Sequence, residues 1–269
     1  MGDHGQVFWS ERKARWYNRA LKGSDFPEKV LQVMKPYLAD CRSALDIGAG
    51  CGALTLPLAR ELQKVTALEP SPGMLKVLQE EAEDQGLKNI EVIQAPFGKV
   101  ELAPHDLVLV AHVPGLWEEP ERVIEELERL AMRWTFLVQA VGPQQDKFFF
   151  RELYPLVLGR GYSPKPDYLP TYVALHSMGI YASISIVEYD FDQPFESLEE
   201  AVDFWKEYLQ LETHEYDGLL HRFLSERLFL RPGGLIHRLH KRSAVIYWAS
   251  RDRTQREPWH RIDSGLFLW

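Results

Sequence analysis

The chain has little of what would tie it to an oxidising compartment, a membrane or a polyanion. It holds two cysteines in 269 residues, Cys41 and Cys51, too few for a disulfide framework or a cysteine-based zinc site. No apolar run reaches the roughly 18 residues of a spanning helix, so no membrane partner is expected. The opening MGDHGQVFWSERKARW is charged from Asp3 onward, unlike a secretory signal. Gln6 stands where N-myristoylation needs Ser or Thr. A cytoplasmic location is the expectation. Lys and Arg number 31 against 39 Asp and Glu, a formal charge of −8, which offers no general attraction to nucleic acid. Histidines and carboxylates show no recognisable metal spacing, so no metal is expected. Internal repeats and low-complexity tracts are absent.

What is present suits a single large domain: 45% of residues are hydrophobic and 12% aromatic, enough for a sizeable core. Residues 7–22 carry an amphipathic pattern with Trp9, Trp16 and Tyr17. Residues 27–39 carry another, with Pro27 suited to a first turn and Pro36 to its end. Then apolar runs alternate with helical patterns: strands SALDI, 64–70, IEVIQAP, DLVLVAHV and WTFLVQAV, and helices 52–62, 72–85 and 119–132. Ser71 reads as an N-cap and Gly86 as a stop. This alternation predicts an α/β fold, a mostly parallel sheet with helices on both faces. Beyond residue 142 the rhythm changes to aromatic-rich helices at 147–159 and 170–179, with a Gly- and Pro-rich loop between them. One alternating strand then runs YASISIVEYDFDQPF, followed by a helix from a Ser197–Glu200 capping box, a helix over 216–229, and a last strand SAVIYWAS.

The segment ALDIGAGCGALTLPLAR joins the first strand to a helix through Gly48, Gly50 and Gly52. A glycine turn at a helix start brings backbone N–H groups up to a ligand. It reads as G-x-G-x-G, or with Ala53 as the G-x-G-x-x-A of dinucleotide sites, so the glycines leave both open. Asp46 separates them. A pyrophosphate about 6 Å from this carboxylate would be opposed by roughly 3 kcal/mol per charge pair at an effective dielectric near 20. A ligand with ammonium and sulfonium groups would be attracted instead. Glu69, ending the second strand, suits both ribose hydroxyls of either ligand.

ALDIGAGCG, VTALEPSPGML, IEVIQAPF and HDLVLVAHV together resemble the class I S-adenosylmethionine-dependent methyltransferases over residues 40–142. The resemblance implies a Rossmann-like seven-stranded sheet whose last strand is antiparallel, capped by N-terminal helices and carrying helical insertions late in the chain. It divides the single domain into a cap (1–40), a cofactor core (41–142), a substrate-cap region (143–180) lying over the strand ends, and the last two strands with a helical insertion (181–269). It assigns S-adenosylmethionine to Asp46, Gly48, Ala49, Gly50 and Gly52, the ribose to Glu69, the adenine to Pro70, Met74, Ala95, Pro96 and Phe97, and the transferable methyl to the end of the fourth strand at Ala111 and His112. Gln94 stands where the family often has an acid.

The implied activity is methyl transfer by in-line displacement, for which alignment in a dry pocket supplies much of the rate. His112 is the candidate general base; His176 is a weaker one. AHVPG replaces the N-P-P-Y or D-P-P-Y motif of base methylation, so a small-molecule acceptor is expected and nucleic acid is not. Tyr17 is a candidate cofactor contact, and KFFFRELY a candidate pocket wall. HRLHKR reads as a solvated lead into the last strand, and Cys51 as packing rather than a nucleophile. A nucleotide-dependent oxidoreductase and a non-catalytic cofactor-binding module are the rival readings.

Overall fold

A computed structural model describes residues 9–142, 146–163 and 167–250. Five strands, β1 (Ser43–Ile47), β2 (Lys64–Leu68), β3 (Ile90–Ile93), β4 (His105–Ala111) and β5 (Ala131–Ala140), lie parallel. Two later strands, β6 (Ser183–Asp190) and β10 (His240–Ala249), complete a seven-stranded sheet in the order β3-β2-β1-β4-β5-β10-β6. β10 runs antiparallel to both of its neighbours, as expected of the last strand. β1 and β2 are buried on both faces after their first residue, which is why they read as unbroken apolar runs rather than alternations.

Alternation shows instead in β5. Phe136 and Val138 pack against one layer and Leu137 against the other. The first layer is α1 (Glu11–Lys22), α2 (Phe26–Met34), α3 (Thr55–Glu61) and α4 (Pro72–Asp84). Its Ala14, Val30, Met34, Leu58 and Val77 form one core with the sheet. The second layer is α5 (Pro120–Leu130) and α7 (Leu169–Ser177), with Ile124, Leu127, Ala174 and Leu175 buried against Val108, Val110 and Ile246. Each of the larger of these side chains contributes about 1.5–3 kcal/mol by leaving water.

Several boundaries differ from the sequence reading. α3 begins at Thr55 rather than residue 52, because Gly52 has φ +90° and cannot continue a right-handed helix. The α2 helix stops at Met34 and passes into a 3₁₀ turn, Lys35–Tyr37, around Pro36. The segment 147–159 forms only a short helix, α6 (Phe150–Leu153), followed by a π-turn over Tyr154–Leu158. α7 starts at the end of β5, where the Ala140 carbonyl accepts the Tyr168 N–H and Gln139 Nε2 donates to Thr171 Oγ1, at 3.1 Å each; its Ala174 and Leu175 pack into the second layer.

The single strand expected over 181–195 is two. After β6 the chain turns at Phe191 and Asp192, where Asp192 Oδ1 accepts the Leu239 N–H at 2.8 Å. It then enters β7 (Gln193–Phe195), which pairs with β9 (Gly234–His237), itself paired with β8 (Phe229–Arg231). This second sheet carries α8 (Leu198–Leu209) and α9 (Asp217–Ser225). Trp16, Leu153, Val157, Phe195, Phe204, Trp205, Leu220 and Leu224 form its separate core. Ser197 caps α8 through the Glu200 N–H at 3.1 Å. The Glu200 carboxylate turns to the Glu196 N–H at 2.6 Å and takes the Trp16 Nε1–H and the Arg19 guanidinium at 2.9 Å each. The cap residue therefore also fastens the late insertion to α1.

Candidate active site

The strand ends of β1, β2 and β4 meet beneath α1. Gly48 and Ala49 both donate their N–H to the Leu68 carbonyl, at 2.8 and 3.1 Å, which bends the chain out of β1. Gly48 has φ +74°, and a Cβ there would stand 2.3 Å from Val113 Cγ2, so conformation and space both require glycine. Gly50 has φ +55° with open space above it; the nearest atom to a Cβ there would be Met74 Sδ at 4.0 Å.

Two carboxylates flank this turn. Glu69 is buried; its Oε2 accepts the Gly50 N–H at 3.0 Å and its Oε1 the Ser71 N–H at 2.9 Å. Burial raises its pKa and the two N–H donors oppose the rise. Each oxygen keeps a second lone pair, so Glu69 can hold the turn and still accept from two ligand hydroxyls. Asp46 is also buried. The one hydrogen-bond donor to its carboxylate among the described residues is Thr55 Oγ1–H, at 2.6 Å. Burial pushes its pKa up to about 7; the Thr55 bond opposes this and the Glu69 charge adds to it. A carboxylate so deep, with one neutral donor and another acid nearby, is complementary to a positive ligand and repels a phosphate.

The remaining expected residues fall around the same rim. Ala49 and Met74 are buried, Pro70 and Ala111 half-buried. Met74 donates its N–H to the capping Ser71 Oγ at 3.3 Å. After β3, Ala95 is buried, Phe97 half-buried and Pro96 exposed; Gln94 is exposed. Cys51 is buried and its thiol is pushed up to about 12 by burial, which suits packing and not nucleophilic attack. His176 is exposed on α7 and stacks edge-on to Tyr181; it does not join the site.

His112 follows β4 with φ +54°, a left-handed conformation uncommon for a side-chain-bearing residue. Its N–H donates to the Val138 carbonyl at 2.8 Å. Its Nε2 lies 3.1 Å from Ser243 Oγ and 3.4 Å from Tyr189 Oη. His112 is solvent-exposed beside Phe26, Tyr189 and Ser243, so it faces an open cleft. Tyr17 is half-buried and packs between Trp9, at 5.6 Å, and Phe191, at 5.2 Å. Burial, then the charges of Lys241 and Lys147, lower the His112 pKa to about 3. At neutral pH its imidazole is uncharged and weakly basic, fitted to orient a partner by hydrogen bonding.

Residues that the sequence reading missed fix these parts. Thr55, nine residues from Asp46, reaches it only because α3 folds back over β1. Ser71 was legible as a cap, but its hydroxyl also donates to the Trp9 carbonyl at 3.1 Å. Gly73 sits beneath α1: a Cβ there would stand 2.8 Å from the Glu11 backbone nitrogen. HRLHKR is not wholly solvated. His237 is buried and its Nε2 bonds the Lys147 carbonyl at 2.7 Å, while Lys241 turns inward. Gly73→Ala is expected to lift α1 from α4, lowering stability by about 1–3 kcal/mol and weakening ligand binding at the turn. Gly115→Ala, which meets nothing within 4 Å, serves as the control in thermal melts and calorimetry.

A family model described as a methyltransferase domain matches residues 44–132. A probable ribosomal RNA small subunit methyltransferase A of Methanosphaera stadtmanae is 38% identical over 77 residues, 29% of this chain and 28% of that one. An uncharacterised protein of Haemophilus influenzae is 25% identical over 184 residues, 68% and 66% of the two chains. The chain thus spans from about a quarter to about two thirds of the curated relatives it matches. Among solved structures, a putative methyltransferase of Bacillus halodurans has the same fold, with a TM-score of 0.52 at 15% identity over 84% of this chain and 99% of that one. Among the described residues no helix is long and apolar enough to cross a membrane.

Proposed function

We propose that the chain, whose residues 44–132 match a methyltransferase-domain family model, transfers a methyl group from S-adenosylmethionine to a small-molecule acceptor. The observation that carries this reading is the pair of buried acids around a side-chain-free turn. Asp46 lacks a cationic partner among the described residues and Glu69 retains acceptor capacity. A dinucleotide would bring phosphates to the one place where charge opposes them.

When bound, S-adenosylmethionine supplies a methyl group on a positively charged sulfur, which remains as a neutral thioether once an acceptor lone pair has taken the methyl. The chain's own contribution is binding and alignment. Gly50 admits the ligand to the backbone, Gly48 turns the chain beneath Val113, Asp46 answers the ligand's positive charge, and Glu69 accepts from the ribose. Met74, Ala95 and Phe97 offer apolar surface to the base, with Ala49, Gly52, Pro70 and Pro96 along the same rim. Ala111 ends β4 at the reacting side, and His112 orients the acceptor from the cleft. Tyr17 borders the cleft between Trp9 and Phe191.

A small acceptor is favoured over RNA by the net negative charge. Calorimetry is expected to give binding of S-adenosylmethionine and S-adenosylhomocysteine and none of NADH. Labelled methyl should then pass to a component of a small-molecule extract. NADH binding in place of the adenosyl ligands would overturn the reading in favour of the oxidoreductase. Adenosyl binding without any transfer would favour the binding module.

A further inference from the structure

The cleft beside His112 holds a lysine amine that the reaction described above does not use. Register places Lys241 opposite Tyr189, and Ser243 opposite Val187, across β10 and β6. Alternate residues of a strand share a face, so Lys241, Ser243 and Tyr189 all project toward α1 and α2. Ser243 Oγ and Tyr189 Oη are the groups that touch His112, which sets Lys241 one strand step further from the glycine turn. Its Nζ stands 4.1 Å from the centre of the Phe191 ring, which in turn packs on Tyr17. Lys241 is half-buried.

Among the described residues no carboxylate lies within ion-pair distance of Lys241. The acids on the neighbouring elements are committed elsewhere. Glu188 pairs with Arg242 and His240, Asp190 with His240, and Asp192 accepts the Leu239 N–H. Burial first, and then the Lys147 ammonium, push the Lys241 pKa well below its ordinary value. A half-buried cation without a counter-charge is disfavoured, and an anion entering from the cleft restores the charged form.

Resting on the methyl-transfer reading above, we infer that the acceptor is an anionic small molecule whose charged group binds Lys241 beside His112. The site is lateral to the glycine turn by the width of β4 and β5. It therefore belongs to the acceptor and not to the donor's own carboxylate.

The test separates a small-molecule extract of the source cells into fractions retained and not retained on an anion exchanger. Each fraction is incubated with methyl-labelled S-adenosylmethionine and the wild-type protein, Lys241→Met or Lys241→Arg. The retained fraction is expected to accept label at least tenfold more than the other. Lys241→Met should lower that incorporation at least tenfold and Lys241→Arg should restore much of it. Calorimetric affinity for S-adenosylhomocysteine should stay within twofold in both variants, which also reports that they are folded. Label taken from the unretained fraction, or unchanged incorporation by Lys241→Met, overturns the inference. Lost S-adenosylhomocysteine affinity in Lys241→Met overturns it too, by assigning Lys241 to the donor. No label from either fraction, with adenosyl binding intact, overturns the activity on which the inference rests.

Discussion

Between pH 6 and pH 8 the affinity for S-adenosylmethionine should rise about tenfold, and Asp46→Asn should abolish that rise. The sign follows from the site. In the ligand-free protein Asp46 titrates near pH 7 because burial disfavours its charge. A cationic ligand requires the carboxylate, so below pH 7 binding must expel a proton and weakens tenfold for each pH unit, while above it the affinity levels off. Stability of the free protein runs the opposite way. A folded-state pKa above the unfolded value near 3.8 means that the native state binds more protons between about pH 4 and pH 7. Stability is therefore lost as pH rises through that window, by up to about 4 kcal/mol. Asp46→Asn retains an oxygen for the Thr55 hydroxyl and removes the charge. The variant should be more stable than wild type above pH 7, by about 2–4 kcal/mol, and should bind the adenosyl ligand at least tenfold more weakly. Stability gained where ligand affinity is lost marks a group kept for binding. Denaturant titrations and calorimetry at pH 5, 6, 7 and 8 check both halves.

Glu69 should respond differently, because it is structural as well as ligand-facing. Its two oxygens hold the Gly50 and Ser71 N–H groups. Glu69→Ala leaves two buried donors without an acceptor, each worth about 1–3 kcal/mol. Glu69→Gln is the more informative change, since one oxygen remains while the amide NH₂ confronts the second N–H. We expect Glu69→Gln to lose about 1–3 kcal/mol of stability and about 10- to 100-fold in adenosyl affinity, with faster amide exchange at Gly50. If affinity falls while exchange at Gly50 is unchanged, the loop-holding part of this account is wrong and only the ligand contact stands.

The site was legible in sequence where chemistry and backbone constraint coincide within a few residues. The glycines after β1, the acid two residues ahead of them and the acid closing β2 are local statements, and each lies where its spacing put it. The five parallel strands were legible for the same reason, since a doubly covered strand must be apolar throughout. What was not legible depends on chain segments far apart. Thr55 meets Asp46 through the reversal into α3. Gly73 is required by the backbone of Glu11, which no pattern around it announces. Lys241 looked solvated because it lies in the basic run HRLHKR; His240 and Arg242 are indeed exposed, but alternation along β10 turns Lys241 the other way, and only the pairing with β6 shows which face is the cleft. The second sheet was missed for a different reason. Phe229–Leu230 and Leu235–Ile236 flank Arg231, Pro232, Gly233 and Gly234, a hairpin signature hidden by reading 216–229 as one helix, whereas α9 stops at Ser225. The continuous alternation of 181–195 likewise concealed a corner made by Asp192 with Leu239.

The central claim is that a buried, half-protonated Asp46 beside the glycine turn selects a positively charged adenosyl donor. Proton release on binding measures it most directly: calorimetry at pH 7 in two buffers of different ionisation enthalpy, on wild type and Asp46→Asn. The account predicts that wild type releases about half a proton more than the variant per S-adenosylmethionine bound. Equal proton counts for the two proteins would contradict it.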